Sequence, residues 1–376
     1  MAKNNNEANW WDYSWNGWSG CTKQSPGCDN CYAEALSNRF AEPTEKQPLP
    51  IIGKWGPGQP RLRTSESYWR QPVTWNRNAE RGICLDCKGK GQVKIKEPHA
   101  PAFYSLCLRC KGAGKVEPYR ARVFAFSLAD VFDPTVDRAW HVDFWTLVRT
   151  TPNLDWLLVT KLPGAIPKIL HETNRMRPEL SLEFNFPQNA KIGVTAENQE
   201  WWDRRWPLAL GAAQYWNVGG LFFSFEPLLG RIDVSAALAD CGNCKGSGLA
   251  PTADIAFGAV GFERCGPCDG KGKRPLFDWA ITGGESGAGA RAMNMTHFVN
   301  LRTSLAFYIP VFEKQLGARP VWGAGADGDA LLKNLGASFP VIKLQAGDKK
   351  GTCPDGQPYS LLREYPERWG NFRKAE

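Results

Sequence analysis

Short apolar runs recur along this chain, separated by mixed segments long enough for a helix. Val123-Phe124-Ala125-Phe126-Ser127, Trp156-Leu157-Leu158-Val159-Thr160, Lys191-Ile192-Gly193-Val194-Thr195, Leu221-Phe222-Phe223-Ser224-Phe225 and Trp279-Ala280-Ile281-Thr282 read as strands, and Ile309-Pro310-Val311-Phe312 is a further candidate. The runs are nearly continuous rather than alternating, the pattern of strands buried on both faces of a parallel sheet. Residues 137–150, 164–175, 199–210 and 296–306 have helical length and mixed polarity. With a further strand over residues 12–15 this gives six or seven βα units. The predicted class is α/β, a partial or complete parallel βα barrel.

Two cysteine-rich segments interrupt this rhythm. Cys84-x2-Cys87 with Cys107-x2-Cys110, and Cys241-x2-Cys244 with Cys265-x2-Cys268, have the spacing of two four-cysteine zinc ribbons. Each pair is followed by Gly-x-Gly, as in Lys88-Gly89-Lys90-Gly91, which lets the chain turn beneath a metal with its N–H groups facing the sulfurs. The repeats resemble the zinc modules of DnaJ-type chaperones. Pairing within each segment is expected, and pairing between segments is the alternative. The predicted division is residues 1–78 as the first part of the barrel, 79–118 and 240–273 as ribbon inserts, 119–239 and 274–322 as barrel, and 323–376 as a C-terminal loop and tail. Within that tail the glycine-rich stretch 323–351 reads as a mobile loop, and Cys353 as a single thiol.

Three cysteines remain, Cys21-x6-Cys28-x2-Cys31, just ahead of a helix-like run. They are one ligand short of a closed zinc site, whereas an iron–sulfur cubane held by three thiolates keeps one iron open to an external molecule. Trp10, Trp11, Trp15 and Trp18 flank this segment and either shield such a cluster or pack the core. Ser25-Pro26-Gly27 and Asn153 read as turns.

Polar residues recur where the apolar runs end: Ser127 and Asp130, Thr160 and Lys161, Thr195 and Glu197, Ser224 and Glu226, Gly283-Gly284-Glu285-Ser286, then Glu313, Lys314 and Gln315. In a βα barrel these positions converge on one mouth, where active sites are built. Gly283-Gly284-Glu285 is the most specific of them, since two glycines admit close backbone approach and the carboxylate can accept an ammonium group.

The formal charge of +8 falls to about +4 once two Zn(Cys)4 sites, each carrying −2, are included. Local clustering says more than this total. Arg61, Arg63, Arg70 and Arg77 interleave with Tyr68, Trp69 and Trp75, and Lys88, Lys90, Lys94, Lys96, Arg109, Lys111 and Lys115 follow. That mixture suits a surface that tracks phosphates and stacks bases, an ordinary solvated face being the alternative. No apolar run approaches eighteen residues and the start, Met1 to Glu7, is polar rather than signal-like, so the expectation is a soluble, cytoplasmic protein without a membrane partner.

As a set, the segments 20–33, Phe126-Ser127-Leu128-Ala129-Asp130-Val131-Phe132, Leu158-Val159-Thr160-Lys161, Ile192-Gly193-Val194-Thr195-Ala196-Glu197-Asn198-Gln199, Phe223-Ser224-Phe225-Glu226-Pro227-Leu228-Leu229-Gly230, residues 278–293 and Phe312-Glu313-Lys314-Gln315 resemble the phage Gp37/Gp68 three-Cys-motif proteins. The resemblance runs in order from about residue 9 to 318, outside the ribbons. That family is similar to radical S-adenosylmethionine enzymes, although the cysteine spacing here is longer than their usual C-x3-C-x2-C and the Gly-Gly-Glu lies on a late strand. The resemblance implies a [4Fe-4S] cluster on Cys21, Cys28 and Cys31 with S-adenosylmethionine on the open iron. It implies isomerisation of a glycine-modified thymidine, from the N-alpha-glycinyl to the C-alpha-glycinyl form, in phage DNA hypermodification that evades host restriction. DNA would then be the substrate partner, and flavodoxin or ferredoxin the kind of electron donor required. Glu197, Glu226, Asp130 and Lys161 are the candidates for gripping the amino-acid part, and Ser127, Gly283, Gly284, Glu285 and Ser286 for holding the cofactor. Two other readings stand beside this one: a radical enzyme of DNA repair or tRNA modification, and a non-catalytic zinc-dependent nucleic-acid-binding protein.

Overall fold

The structure is a computed structural model and describes residues 10–40, 52–95, 101–253, 260–286, 289–321, 350–352 and 358–360. Most of the glycine-rich stretch 323–351, as well as Cys353, lies outside the described residues. Seven strands form one sheet: β1 (Tyr13–Trp15), β2 (Ala121–Ala125), β3 (Leu154–Thr160), β4 (Ala190–Thr195), β5 (Leu221–Phe225), β6 (Trp279–Gly283) and β7 (Val311–Gln315). Every neighbouring pair is parallel, and the order across the sheet is the order along the chain. A sheet built this way curls in one sense, and here it forms a half barrel.

Six helices matter for the argument: α1 (Tyr32–Phe40), α2 (Gln71–Glu80), α3 (Arg138–Thr150), α4 (Ile166–Met176), α5 (Gln199–Tyr215) and α6 (Met295–Ala306). Three of them start at a side-chain cap. Asp137 accepts a hydrogen bond from the Ala139 N–H, Asn198 from Trp201, and Asn294 from Thr296. Helix α5 runs five residues past the end expected from the sequence, through Tyr215, and Asn217 then turns the chain at a φ of 46°.

The two faces of the sheet bury different things. On the convex side, Trp15, Trp18, Phe144, Trp145, Trp156, Trp202 and Phe223 pack between strands and helices in the main core. On the concave side Trp10, Leu157, Phe222, Trp279, Ile281 and Phe312 form a separate cluster, with Phe124 and Val159 against it. Trp10 meets Phe222 and Trp279 edge-on and so fills the floor of the half barrel. Gly193 is required there, because a Cβ at that position would lie 2.2 Å from the Phe222 ring. The four tryptophans near the first strand therefore divide: Trp15 and Trp18 are core, and Trp10 and Trp11 face the concave side. Among the described residues, no helix is long and apolar enough to cross a membrane.

Candidate functional site

The chain leaves β1 and loops across the carboxyl ends of the strands before entering α1. Cys21, Cys28 and Cys31 on this loop, with Tyr32 at the start of α1, line a cavity of about 510 Å3. The opposite walls come from strand ends: Asp130, Thr160, Lys161, Thr195, Ser224, Glu226, Lys314 and Gln315. Phe124, Val159 and Trp10 supply its apolar base. The convergence expected for a barrel mouth is thus realised, with the three cysteines in it.

Two carboxylates hold the cysteine loop from behind and from the side. Glu197 is fully buried; its Oε1 accepts from the Ser25 hydroxyl at 2.6 Å and its Oε2 from Arg205 at 3.0 Å. A Cβ on Gly27 would fall 2.3 Å from Glu197 Oε1, so glycine is needed for this approach. Glu285 accepts from Arg291 at both oxygens and from Asn30 at 2.9 Å. Arg291 also reaches the Pro26 carbonyl at 2.7 Å and Asp29 at 3.1 Å. Burial alone would raise the Glu285 carboxyl, but the hydrogen bonds from Arg291 and Asn30 outweigh it and hold it below the usual carboxylate range. Both acids therefore position the loop. Glu197 stands outside the cavity wall, and Glu285 meets the cavity with its oxygens already engaged.

The remaining candidates differ in how free they are. Asp130 ties the tips of β2 and β3 together, accepting from Thr160 at 2.7 Å, the Lys161 N–H at 2.8 Å and the Phe132 N–H at 2.9 Å. Burial nonetheless pushes its carboxyl above the usual range. Ser127 bonds to Asn16, and its carbonyl accepts from the Tyr32 hydroxyl. Gly283 leaves room for Glu226, whose Oε1 would be 2.7 Å from a Cβ there, and Gly284 lies against the Leu316 carbonyl. Ser286 is exposed on the rim. Glu226 and Lys314 face each other at 3.3 Å, while Lys161 stands 4.0 Å from Glu197. Burial opposes the Lys161 ammonium, yet the charges of Cys28 and Glu197 raise its pKa above the ordinary lysine value. Glu313 does not belong with them: it is fully buried and faces Arg302 of α6 at 3.7 Å. Sequence reasoning read Ser25 only as a turn and gave Asn30, Arg205 and Arg291 no role of their own: Ser25 and Asn30 act on carboxylates 172 and 255 positions away, and the arginines act on Glu197 and Glu285, whose own placement depends on the fold.

Three thiols on one loop are a donor set that could hold an iron–sulfur cluster. Among the described residues, the cysteine groups whose sulfurs lie within 4.8 Å of one another are the two sets of four, and the three cavity cysteines do not form a third. The Gln24 N–H faces Cys28 Sγ at 3.5 Å, a contact that stabilises a thiolate. Without such a cluster, burial and the charges of Asp130 and Asp133 push the Cys21 thiol up to about 12.

Both inserts close locally into buried four-cysteine sites able to hold a metal ion such as zinc. In the first, Cys84 and Cys107 sulfurs are 3.7 Å apart and Cys87 and Cys110 are 3.6 Å apart. In the second the corresponding distances are 3.8 Å for Cys241 and Cys265, and 3.6 Å for Cys244 and Cys268. The glycines explain themselves in pairs. A Cβ on Gly91 would be 2.3 Å from the Gly112 carbonyl and one on Gly114 2.4 Å from that of Gly89, so two knuckles interlock backbone to backbone.

The arginine and tryptophan stretch before the first insert is less available than its composition suggests. Arg61 is buried against Asp133 at 2.8 Å, Arg63 lies over the Trp69 ring and pairs with Asp143, Trp69 is buried, and Trp75 stacks on Tyr13. These aromatics serve packing. Arg70 and Arg77 remain exposed.

No curated protein and no solved structure matches this chain. Residues 5–359 match the family described as a protein of unknown function (DUF5131), and the chain belongs to that family.

Proposed function

We propose that this chain is a radical S-adenosylmethionine enzyme that isomerises a glycine-modified thymidine in DNA. The observation that carries the reading is the convergence of Cys21, Cys28 and Cys31 on one cavity at the strand ends, with no fourth cysteine among the described residues lining it. When bound there, a reduced [4Fe-4S] cluster with S-adenosylmethionine supplies hydrogen abstraction from an unactivated carbon. The four-cysteine inserts would each hold structural zinc.

The chain's own side chains have separable tasks in this reading. Glu197, Arg205 and the Glu285–Arg291 pair fix the loop that carries the thiols. Lys161 and Lys314 present positive charge to the cavity and Glu226 negative charge, which suits the carboxylate and ammonium of a glycine substituent. Phe124, Val159 and Trp10 offer an apolar floor that excludes water. A base in duplex DNA would have to leave the stack to reach this floor. An N-to-C glycinyl shift adds and removes no atoms, so a flavodoxin or ferredoxin is needed only to reduce the cluster.

Anaerobic reconstitution tests this directly. The expected result is a brown protein with about four irons per chain, as one [4Fe-4S] cluster requires, that forms 5′-deoxyadenosine on reduction, and loses both properties in Cys28→Ala. A colourless protein that binds zinc alone would refute the radical reading. Mass spectrometry of nucleosides from DNA made with and without the protein then distinguishes thymidine isomerisation from repair or tRNA modification.

A further inference from the structure

The first insert carries a surface that neither its thiol site nor the half barrel uses. Its hairpin pairs Gln92–Ile95 with Phe103–Leu106, and the register sets Lys94 opposite Tyr104 and Gln92 opposite Leu106. Strand alternation places these four on one face, while Val93 on the other packs against the cysteines. Tyr104 is 65% exposed and Leu108, just past the strand, 88%. The Lys94 ammonium lies 6.0 Å from the Tyr104 ring centre.

Between the edges of this insert, where Glu80 and Glu117 stand, the described charge is mostly basic. Lys88, Lys90, Lys94, Lys111 and Lys115 are all exposed, and among the described residues none of the five is in an ion pair. Asp86 is the sole carboxylate described between Ile83 and Val116, and Arg109 neutralises it at 3.1 Å. An exposed ring beside Lys94, on an insert that carries four more exposed lysines, has the two elements that hold a nucleic-acid strand: a face for a base and counter-charge for phosphates.

We propose that this hairpin face binds single-stranded nucleic acid, with Tyr104 stacking on a base and the lysines tracking the backbone. The occupant is a single strand rather than a duplex, because a paired base offers no free ring face to Tyr104. The inference deepens the reading above and rests on it only in taking DNA as the polymer: a strand opened to release one base needs a hold outside the cavity.

Fluorescence anisotropy of a short labelled oligothymidylate with the full-length, zinc-loaded chain tests this without cluster or S-adenosylmethionine. Binding should weaken with salt, and Tyr104→Ala should weaken it roughly tenfold while Tyr104→Trp retains it. Replacing Lys90 and Lys94 together by alanine should flatten the salt dependence, by roughly 0.7 in slope for each lost phosphate contact. Zinc content identical to the parent shows that each variant is folded. Unchanged affinity in Tyr104→Ala, or salt-insensitive binding that survives loss of the lysines, overturns the proposal. If the parent chain fails to bind yet still forms 5′-deoxyadenosine after reconstitution, this surface is misread and the enzymatic reading stands.

Discussion

Arg291 grips Glu285 at two points, Nε to Oε2 at 3.1 Å and Nη2 to Oε1 at 2.8 Å, and extends to the Pro26 carbonyl two residues before Cys28. The end of β6 is thereby latched to the cysteine loop. A planar guanidinium can serve both oxygens and the loop at once, which an ammonium cannot.

Arg291→Ala should therefore loosen residues 21–31 by ~1–3 kcal/mol, the scale of lost hydrogen bonds to a charged group. The expected outcome is lower iron content after reconstitution and faster amide exchange across the loop, with the inserts' zinc unchanged. Arg291→Lys should rescue little of either. Parent-like iron retention in Arg291→Ala would show that the latch is dispensable.

The pair of Glu197 and Arg205 is buried almost completely, so breaking it strands a charge in the core. Glu197→Ala should cost about 3–5 kcal/mol of stability. Removing both partners together, as Glu197→Leu with Arg205→Met, should cost much less than Glu197→Leu and Arg205→Met cost singly, added together. Denaturant titration of the four proteins reads this coupling, and simple additivity would count against it.

Each insert closes its four thiols locally, so each could hold a metal ion without ligands from the other. Cys87→Ser should halve the zinc content and leave the second site and the cysteine loop intact. Gly91→Ala should act similarly though more weakly, because its Cβ would strike the Gly112 carbonyl. Loss of both zinc ions from either single variant would mean that the two inserts share ligands.

His141 in α3 is fully buried, its Nε2 donating to the Val131 carbonyl at 2.9 Å and Arg138 lying at its Nδ1. Burial, helped by the Arg138 charge, lowers its pKa to about 4. The unfolded chain takes up this proton near the ordinary value of about 6.5. Stability is therefore present above that value and falls as pH drops toward 4, by at most about 1.4 kcal/mol per pH unit. His141→Gln should flatten that part of the stability profile relative to the parent, and parallel profiles would exclude the imidazole as the cause.

Much of the fold is legible in the chain because the signals are local. Leu221–Phe225 is bounded as its apolar run suggests, and the caps Asp137 and Asn198 mark α3 and α5. The last strand shifts: the run 309–312 predicts it early, whereas Val311–Gln315 is what pairs with β6. Pro310 lacks an N–H to donate and stays outside the ladder, its carbonyl accepting from Ala280. Strand β2 ends at Ala125 rather than Ser127, since Phe126 takes a φ of 63° that leaves the strand conformation.

The sequence by itself determined the α/β rhythm, the two four-cysteine sets and the isolation of three further cysteines, because spacing and burial pattern are properties of neighbouring residues. Tertiary structure alone decided what the polar strand ends do. Ser25 meets Glu197 across 172 positions and Asn30 meets Glu285 across 255, so which carboxylate supports the loop and which faces the cavity follows from sheet curl and register. A carboxylate's role depends on whether a partner has already claimed its oxygens, and such partners are brought together only by the closed packing of distant elements.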